Sequence, residues 1–173
     1  MENLKLEYPN IKYKDSYLES LKNFHKENRN LDENIIDLNS NFTNFVNYLM
    51  ESKLEKARER FDGCVPETFF WLIKDDTDYI GRVSIRHDLT ELLLKEGGHI
   101  GYDICPTKRN KGYGYKILEL GLIEGKKMGL NKVLLTCNSD NIGSKKIIEK
   151  NKGIFENEIE SKSGKKLRYW IYL

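Results

Sequence analysis

Apolar side chains in the first sixty residues recur at steps of three and four positions, which is the spacing of amphipathic helices. Two such series predict two helices, and Ser16 and Glu19 have the spacing of a capping box at the start of the first. The predicted elements of this half are an extended segment at 4–8, helices at 16–24 and 42–54, and a polar connection at 28–40. Gly63 and Pro66 interrupt the helical pattern, so a different type of structure is expected to follow.

After Pro66, β-branched and aromatic residues occur in short runs separated by turn residues, a pattern typical of strands. The predicted strands are 68–73, 79–87, 98–105, 132–138, 154–160 and 167–173, with helices at 115–128 and 141–150. Ser163 and Gly164 are expected to form the turn of a closing hairpin, and residues 88–97 form a connection with room for one helical turn. This order predicts a single domain of the α/β (α+β) class with at least one right-handed crossover.

The composition excludes several classes of protein. The chain has 173 residues, a formal net charge of +2 and 39% apolar residues, which suits one folded domain rather than a disordered or membrane-spanning chain. A near-neutral chain lacks the basic footprint of a dedicated nucleic-acid binder. The three cysteines form no C-x-x-C motif, and no signal-peptide pattern begins the chain. We therefore expect a cytoplasmic protein with neither a disulfide framework nor a bound metal.

The loop at 106–114 carries the most informative chemistry, because it joins a predicted strand to a predicted helix. Its cations and glycines are Lys108, Arg109, Lys111, Gly112 and Gly114. Unpaired N–H groups at a helix start, the helix dipole and small residues that admit a close approach together suit a pyrophosphate group. A solvated turn remains an equal alternative from these residues alone, and the loop matches neither a P-loop nor the dinucleotide fingerprint.

The spacing Arg109-x-x-Gly112-x-Gly114 after a strand resembles motif A, [QR]-x-x-G-x-[GA], of the GNAT superfamily of N-acetyltransferases. The resemblance continues in Asn141 and Ser144, which are similar to the family's N-x-x-[AS] element, and it covers about residues 66–173. It implies a mixed, centrally splayed β-sheet of about six to seven strands flanked by helices. Within one domain spanning 1–173, it implies that 66–173 form the acetyl-CoA-binding core and that the helical part, 1–65, faces the acceptor.

The same resemblance implies that acetyl-CoA lies between the strands at 98–105 and 132–138, which would splay apart. The residues that would bind it are Tyr102, Asp103, Ile104, Arg109, Asn110, Lys111, Gly112, Tyr113, Gly114, Asn141 and Ser144. The implied reaction is direct transfer of the acetyl group to a primary amine of a small molecule or peptide, with a backbone N–H stabilising the oxyanion. The helices and the 88–97 connection are expected to form the acceptor pocket.

The expected proton-transfer groups depart from the family pattern. No carboxylate occurs at 98–101, where many members carry Glu, and Ile148 stands where many carry Tyr. His87 and Tyr102 are therefore the catalytic candidates, with an ordinary structural role as the alternative for each. These departures keep open a catalytically weak CoA-binding sensor or interaction module, and the basic loop keeps open an RNA- or ribosome-associated protein. The sequence does not name the acceptor, and an exposed edge of the closing hairpin would permit a homodimer.

Overall fold

The computed structural model describes residues 2–162 and 164–173, so Ser163 of the expected closing turn lies outside the described chain. The strands are β1 (Leu4–Glu7), β2 (Glu67–Lys74), β3 (Asp78–Arg86), β4 (Ile100–Ile104), β5 (Lys132–Asn138), β6 (Ile154–Ser161) and β7 (Gly164–Tyr172). The α-helices are α1 (Lys14–His25), α2 (Ile35–Glu51), α3 (Tyr113–Lys127) and α4 (Ile142–Lys150). Short helical turns lie at Ile11–Tyr13, Glu55–Glu59, Leu93–Gly97 and Pro106–Lys108. The elements predicted after Pro66 are confirmed, with small differences at their ends.

The strands form two antiparallel sheets, in the orders β1-β2-β3-β4 and β5-β7-β6. The sheets meet beside Gly98, which bridges to Leu135, and the His99 N–H donates to the Leu134 carbonyl at 2.7 Å. Past this point the described residues of β4 and β5 form no ladder, so the two strands diverge. The splayed centre, the seven described strands and the flanking helices confirm the predicted architecture.

Gly98 is required at the junction of the two sheets. Its φ of +73° and ψ of −179° lie in a region that essentially only glycine adopts. A Cβ atom at this position would also lie 2.6 Å from the Leu134 carbonyl oxygen. The close approach of β5 to the residues before β4 therefore depends on the absence of a side chain.

The first sheet is covered on both faces by apolar clusters. One cluster contains Leu72 and Ile80 together with residues of α3, α4 and the second sheet. The other contains Trp71, Ile73 and Tyr79 together with residues of α1 and α2. Because neighbouring residues of a strand point to opposite faces, β2 contributes to both clusters, which explains its uninterrupted apolar run.

Ser16 lies inside α1 instead of capping it. The helix begins at Lys14, and the Ser16 hydroxyl accepts a hydrogen bond from the Tyr79 N–H at 2.9 Å and donates one to Asp78 at 3.3 Å. The predicted capping box with Glu19 is therefore wrong, because partners on β3 take the hydroxyl group that a cap would use.

The second helix begins earlier than its apolar pattern predicts. The Asn34 side chain accepts hydrogen bonds from the N–H groups of Ile36 at 2.9 Å and Asp37 at 3.2 Å, so Asn34 is its N-cap. The helix is kinked at Asn41, which has a φ of −121°, just before the predicted apolar series. The polar connection before α2 therefore ends at Asn34 rather than at residue 40.

None of the helices in the described chain is both long and apolar enough to cross a lipid bilayer. Residues 2–162 and 164–173 contain no group of three or more His, Cys, Asp or Glu side chains that could hold a metal ion. Cys64, Cys105 and Cys137 are free thiols.

Candidate active site

A cleft of about 380 Å³ opens where β4 and β5 diverge, and we call it the strand-gap cleft. The predicted cofactor-binding residues that line it are Tyr102, Asp103, Ile104, Arg109, Asn110, Gly114, Asn141 and Ser144. Arg29, Gly143 and Ile147 line it as well, whereas Lys111, Gly112 and Tyr113 are not among its described lining residues. The fold thus brings the end of β4, the loop before α3 and the start of α4 to one place, as the family resemblance implies.

Alternate residues of β4 point their backbone N–H and C=O groups into this cleft. The Cys105 N–H donates to the Ile80 carbonyl at 2.9 Å, which fixes the phase of the ladder between β3 and β4. Because hydrogen-bonded and non-hydrogen-bonded pairs alternate in an antiparallel ladder, Tyr102 and Ile104 direct their N–H and C=O groups away from β3. The Ile104 carbonyl accepts from Arg109 Nε at 3.3 Å, which agrees with this phase. The N–H groups of Tyr102 and Ile104 therefore face the gap.

The loop before α3 leaves a series of backbone N–H groups without partners. Asn110 and Gly112 have φ values of 61° and 85°, and Gly112 is the N-cap of α3 without a side-chain cap. The first helical bond is donated by the Lys116 N–H to the Gly112 carbonyl at 3.1 Å. Within the described chain, the N–H groups of residues 110–115 make no hydrogen bond to backbone or side chain. A Cβ at Gly112 would meet no atom within 4 Å, so space is open above this turn.

Arg109 is held from two sides and is still incompletely paired. Its Nε donates to the Ile104 carbonyl at 3.3 Å, and its Nη1 lies 2.9 Å from a Glu27 carboxylate oxygen. Its Nη2 is buried and has no hydrogen-bond partner in the described part of the chain. A second ion pair joins Arg29 to Asp103 at 2.5 Å, so the connection before α2 contacts the cleft twice. Because a buried donor without a partner is costly, the free Nη2 group of Arg109 points to a bound group that would complete the site.

Among the described residues that line this cleft, Tyr102 also has a buried side-chain polar atom without a partner. Its hydroxyl is buried and forms no hydrogen bond of ordinary geometry with any described residue. Burial raises the pKa of Tyr102 to about 12, and the nearby Ser144 hydroxyl offsets part of that rise. The phenol therefore keeps its proton throughout the neutral range and can act as a donor.

A second cleft of about 520 Å³ lies on the other side of β4, and we call it the helix-side cleft. Its floor is the face of β2, β3 and β4 that is turned toward the helical half, and its roof comes from α2 and the residues before it. The lining residues are Asp32, Glu33, Phe45, Tyr48, Leu49, Glu67, Phe69, Arg82, Ser84, Arg86, Gly101, Tyr102 and Asp103. Tyr102 and Asp103 therefore line both clefts. The helical half lines this cleft with residues of α2 and of the connection before it, whereas the 88–97 connection is not among the described lining residues.

Other predicted residues lie away from the clefts. His87 is at the end of β3, where its Nε2 lies 2.8 Å from the Thr68 hydroxyl and burial lowers its pKa, and it is not among the described residues lining either cleft. The Tyr113 hydroxyl donates to Glu2 at 3.1 Å, so its side chain points elsewhere than the strand-gap cleft. Ile148 is buried in the apolar cluster of the two sheets, and its hydrocarbon side chain has no proton to transfer.

Glu27 and Arg29, in the connection between α1 and α2, were not predicted from the sequence as site residues. Glu27 and Arg29 lie in a polar stretch without a motif, and their partners are more than seventy positions away. The one available signal was the Asn-rich composition, because Asn28 and Asn30 adopt φ values of 55° and 53°, a conformation that asparagine tolerates better than most residues. Composition can indicate a tight turn, but it does not identify what that turn contacts.

Comparisons with known proteins agree with this geometry. A family model described as an acetyltransferase (GNAT) domain matches residues 27–153. The microcin C7 self-immunity acetyltransferase MccE, solved with acetyl-CoA and AMP, is 16% identical over 98% of this chain and 92% of that chain, with a TM-score of 0.70. A GNAT-family acetyltransferase from Bacillus anthracis is 20% identical over 98% and 94%, with a TM-score of 0.69. No curated protein matches the chain.

A further solved structure is the acetyltransferase of Salmonella typhimurium that modifies the N-terminal serine of ribosomal protein L7/L12. It is 12% identical over 98% of this chain and 95% of that chain, with a TM-score of 0.68. At such identities the solved structures establish the fold alone, whereas the family model spans well over half of the chain. The chain therefore belongs to the GNAT family of acetyltransferases, and the predicted class of acyl-CoA-dependent N-acetyltransferase is confirmed.

Proposed function

We propose that the protein binds acetyl-CoA in the strand-gap cleft and transfers its acetyl group to a primary amine bound in the helix-side cleft. The observation that carries this proposal is that Tyr102 and Asp103 line both clefts, so that the two clefts adjoin along β4. Two ligands that enter from opposite sides would meet at this strand, which is what a direct transfer requires. In this arrangement residues 66–173 form most of the cofactor cleft, and the acceptor cleft lies between the helical part, 1–65, and the facing side of β2, β3 and β4.

The polar groups of the strand-gap cleft suit acetyl-CoA. The free N–H groups at 110–115 suit a diphosphate, and the N–H groups of Tyr102 and Ile104 suit the amides of a pantetheine arm. Asn141 accepts from the Ser144 N–H at 3.0 Å, which leaves its own amide N–H groups available for donation. Arg109 Nη2 and the Tyr102 hydroxyl are buried atoms for which a bound molecule would supply partners.

When bound, acetyl-CoA would supply an activated acetyl thioester. The chain's own contribution begins with the N–H groups of β4, which are fixed donors for negative charge that develops on an oxygen atom. Tyr102 holds a proton on its hydroxyl oxygen because burial raises its pKa to about 12, so it acts as a donor to the departing sulfur and not as a base. The proton lost by the attacking amine would pass to solvent, from which the Tyr102 hydroxyl regains its own proton. His87 is engaged with Thr68 outside both clefts, and we assign it no part in proton transfer.

The alternative of an RNA- or ribosome-associated protein loses support from the pairing of the loop cations. Lys108 is paired with Asp78, and Arg109 is paired with Glu27. Among the described residues this leaves Lys111 as the one loop cation without an ion pair, which is a small charge for binding a polyphosphate backbone. The free donors of this loop are backbone N–H groups, which suit a single compact diphosphate better.

A CoA-binding sensor is the second candidate function. It is favoured by the burial of Ile148 at the position of the family's tyrosine and by the absence of a carboxylate at 98–101. In this case the protein would bind acetyl-CoA as the enzyme does, but it would not transfer the acetyl group.

The two functions are separated by measuring binding and turnover in sequence. Acetyl-CoA in large excess should raise the melting temperature of the protein, since a ligand at about 100 times its Kd adds roughly 2.7 kcal/mol to the free energy of unfolding. Release of free thiol in the presence of a panel of amines should then identify the enzyme. Stabilisation without thiol release from any amine supports the sensor, and the absence of stabilisation contradicts both functions.

A further inference from the structure

The cations that line the helix-side cleft are already neutralised by neighbouring acids. The Arg82 guanidinium lies 2.6 Å from a Glu33 carboxylate oxygen and 3.8 Å from Asp103 on the adjacent strand. Glu33 is fixed in turn by the Tyr17 hydroxyl, which donates to it at 2.5 Å. Asp103 has a second cation, because Arg29 lies 2.5 Å from it. This part of the cleft therefore has no cation free for a ligand.

The other arginine of the cleft is also occupied. Arg86 Nε lies 3.5 Å from Glu67, and its Nη1 donates to the Gly98 carbonyl at 2.9 Å. Both Arg86 and Glu67 are largely buried, with about a quarter or less of each side chain exposed. A carboxylate or phosphate entering the cleft would have to break this pair before it found a partner.

The unbalanced charge of the cleft is negative. Asp32 is exposed in the connection before α2 and forms no ion pair or hydrogen bond with any residue that the structure describes. The remaining wall is apolar and aromatic, from Phe45, Tyr48 and Leu49 on α2 and Phe69 on β2. The cleft thus offers a free anion, an apolar wall and no unpaired cation.

From this we infer that the acceptor bears its amine on an apolar or aromatic group and has no carboxylate or phosphate near the reacting nitrogen. The inference rests on the proposed role of the helix-side cleft as the acceptor site. An acceptor cation is attracted by Asp32. An acceptor anion is repelled by Asp32 and finds both lining arginines, Arg82 and Arg86, already paired, so its burial would be uncompensated. A small aralkyl amine and the N-terminus of a peptide that begins with an apolar residue share this chemistry.

The test compares ligands that differ by one carboxylate. Tyramine and tyrosine have the same ring and amine, and their binding is measured by calorimetry with and without CoA, so that the result does not depend on turnover. We expect tyramine to bind at least about tenfold more tightly than tyrosine. A second pair, the peptide amides Phe-Ala-Ala and Phe-Asp-Ala, should show the same preference for the peptide without the acid. A preference for the acid-free ligand in either pair supports the inference. The pair that binds shows whether the acceptor is a small amine or the N-terminus of a peptide.

Variants of this chain should change the preference in a stated direction. Asp32→Lys should reduce the discrimination between tyramine and tyrosine by about tenfold, because it replaces the free anion with a cation. Glu67→Gln should also improve tyrosine binding, because it leaves Arg86 without its carboxylate partner. Asp37→Lys is the matched control, since Asp37 is an exposed acid of the first turn of α2 that does not line the cleft.

The inference and the proposed function fail in different ways. No preference for the acid-free ligand in either pair, no binding of any of the four ligands, or equal effects of Asp32→Lys and Asp37→Lys would each overturn the inference. A protein that binds tyramine selectively but is not stabilised by acetyl-CoA would keep the inference and contradict the proposed function. The expected result is selective binding of tyramine by the wild type and by Asp37→Lys, and reduced selectivity in Asp32→Lys and Glu67→Gln.

Discussion

The backbone N–H of Leu134 donates a hydrogen bond to Nδ1 of His99 over 2.9 Å, and the His99 N–H donates to the Leu134 carbonyl over 2.7 Å. This reciprocal pair joins the two sheets at the point from which β4 and β5 diverge. Because Nδ1 accepts, the imidazole is neutral and carries its proton on Nε2. Burial, together with the charge of Arg86, lowers the pKa of His99, which favours the same neutral form.

The junction should therefore make stability depend on pH in the range where histidine titrates. The pKa of His99 in the folded protein lies below its ordinary value of 6.5, so the unfolded chain takes up a proton first as the pH falls. The contribution of neutral His99 to the free energy of unfolding is present above pH 6.5. It is lost as the pH falls from there toward the pKa of His99 in the folded protein. In His99→Gln, the free energy of unfolding measured by urea denaturation should change less between about pH 7.5 and pH 5.5 than in the wild type.

His87 needs to be separated from this effect, because burial lowers its pKa as well. His87→Gln should reduce the slope of the free energy of unfolding against pH by the contribution of His87. The variant with both His87→Gln and His99→Gln should lose most of the pH dependence in this range. A carboxylate whose pKa the fold lowers, such as Glu7 at about 2, does not interfere, because its contribution to stability is lost mainly at pH values below 4.5. Equal slopes for His99→Gln and the wild type would show that the hydrogen bond at the junction does not control this titration.

The sequence allowed prediction of the parts of the fold and site that depend on local pattern. The strand before residue 106, the turn with Gly112 and the start of α4 at Asn141 each follow from neighbours within a few positions, because φ preference, helix capping and strand alternation are short-range effects. These elements carry the predicted cofactor residues. Local pattern therefore located these elements, whereas the family resemblance supplied the expectation that a cofactor binds between the strands.

Long-range pairing was not accessible in the same way. Glu27 reaches Arg109 across 82 positions, and Arg29 reaches Asp103 across 74. Ser16 has the spacing of a cap but bonds to β3, since a tertiary partner outweighs a modest local preference. Which acid neutralises which arginine decides the acceptor chemistry of the helix-side cleft, and a single sequence does not contain that pairing.

The two ends of α3 offer a matched test of the diphosphate site. Gly112 and Gly129 have φ values of +85° and +89°, and a Cβ at either position meets no atom within 4 Å. Gly112→Val and Gly129→Val should therefore destabilise the fold similarly, by about 1–2 kcal/mol of backbone strain in urea denaturation. Calorimetry should show on the order of 100-fold weaker CoA binding for Gly112→Val alone, because the side chain blocks at least two hydrogen bonds to a charged group. Equal CoA affinity of the two variants would refute the assignment of this turn.

Tyr102→Phe should raise stability and lower turnover at once. Its hydroxyl is buried without a partner of ordinary geometry, so its removal should increase the free energy of unfolding by up to about 1 kcal/mol. If this hydroxyl donates in the reaction, thiol release should fall by about 100-fold. Tyr169→Phe is the control, since the Tyr169 hydroxyl donates to Glu149 at 3.2 Å and its loss should cost about 1 kcal/mol without changing turnover. Unchanged thiol release in Tyr102→Phe would assign the hydroxyl to packing.

Glu27 places a negative charge beside the turn that is proposed to bind a diphosphate. Its carboxylate lies 2.9 Å from Arg109, so a bound diphosphate must either share this arginine or replace Glu27 as its partner. Glu27→Gln should tighten CoA binding by about two- to fivefold, the magnitude of one partly exposed ion pair. The gain should shrink as salt is raised toward 1 M, where charges are screened within about 3 Å. Glu19→Gln is the control: it removes an exposed acid of α1 that is paired with Lys22, and it should leave the affinity unchanged. Weaker binding by Glu27→Gln would mean that this carboxylate positions Arg109 for the ligand instead of competing with it.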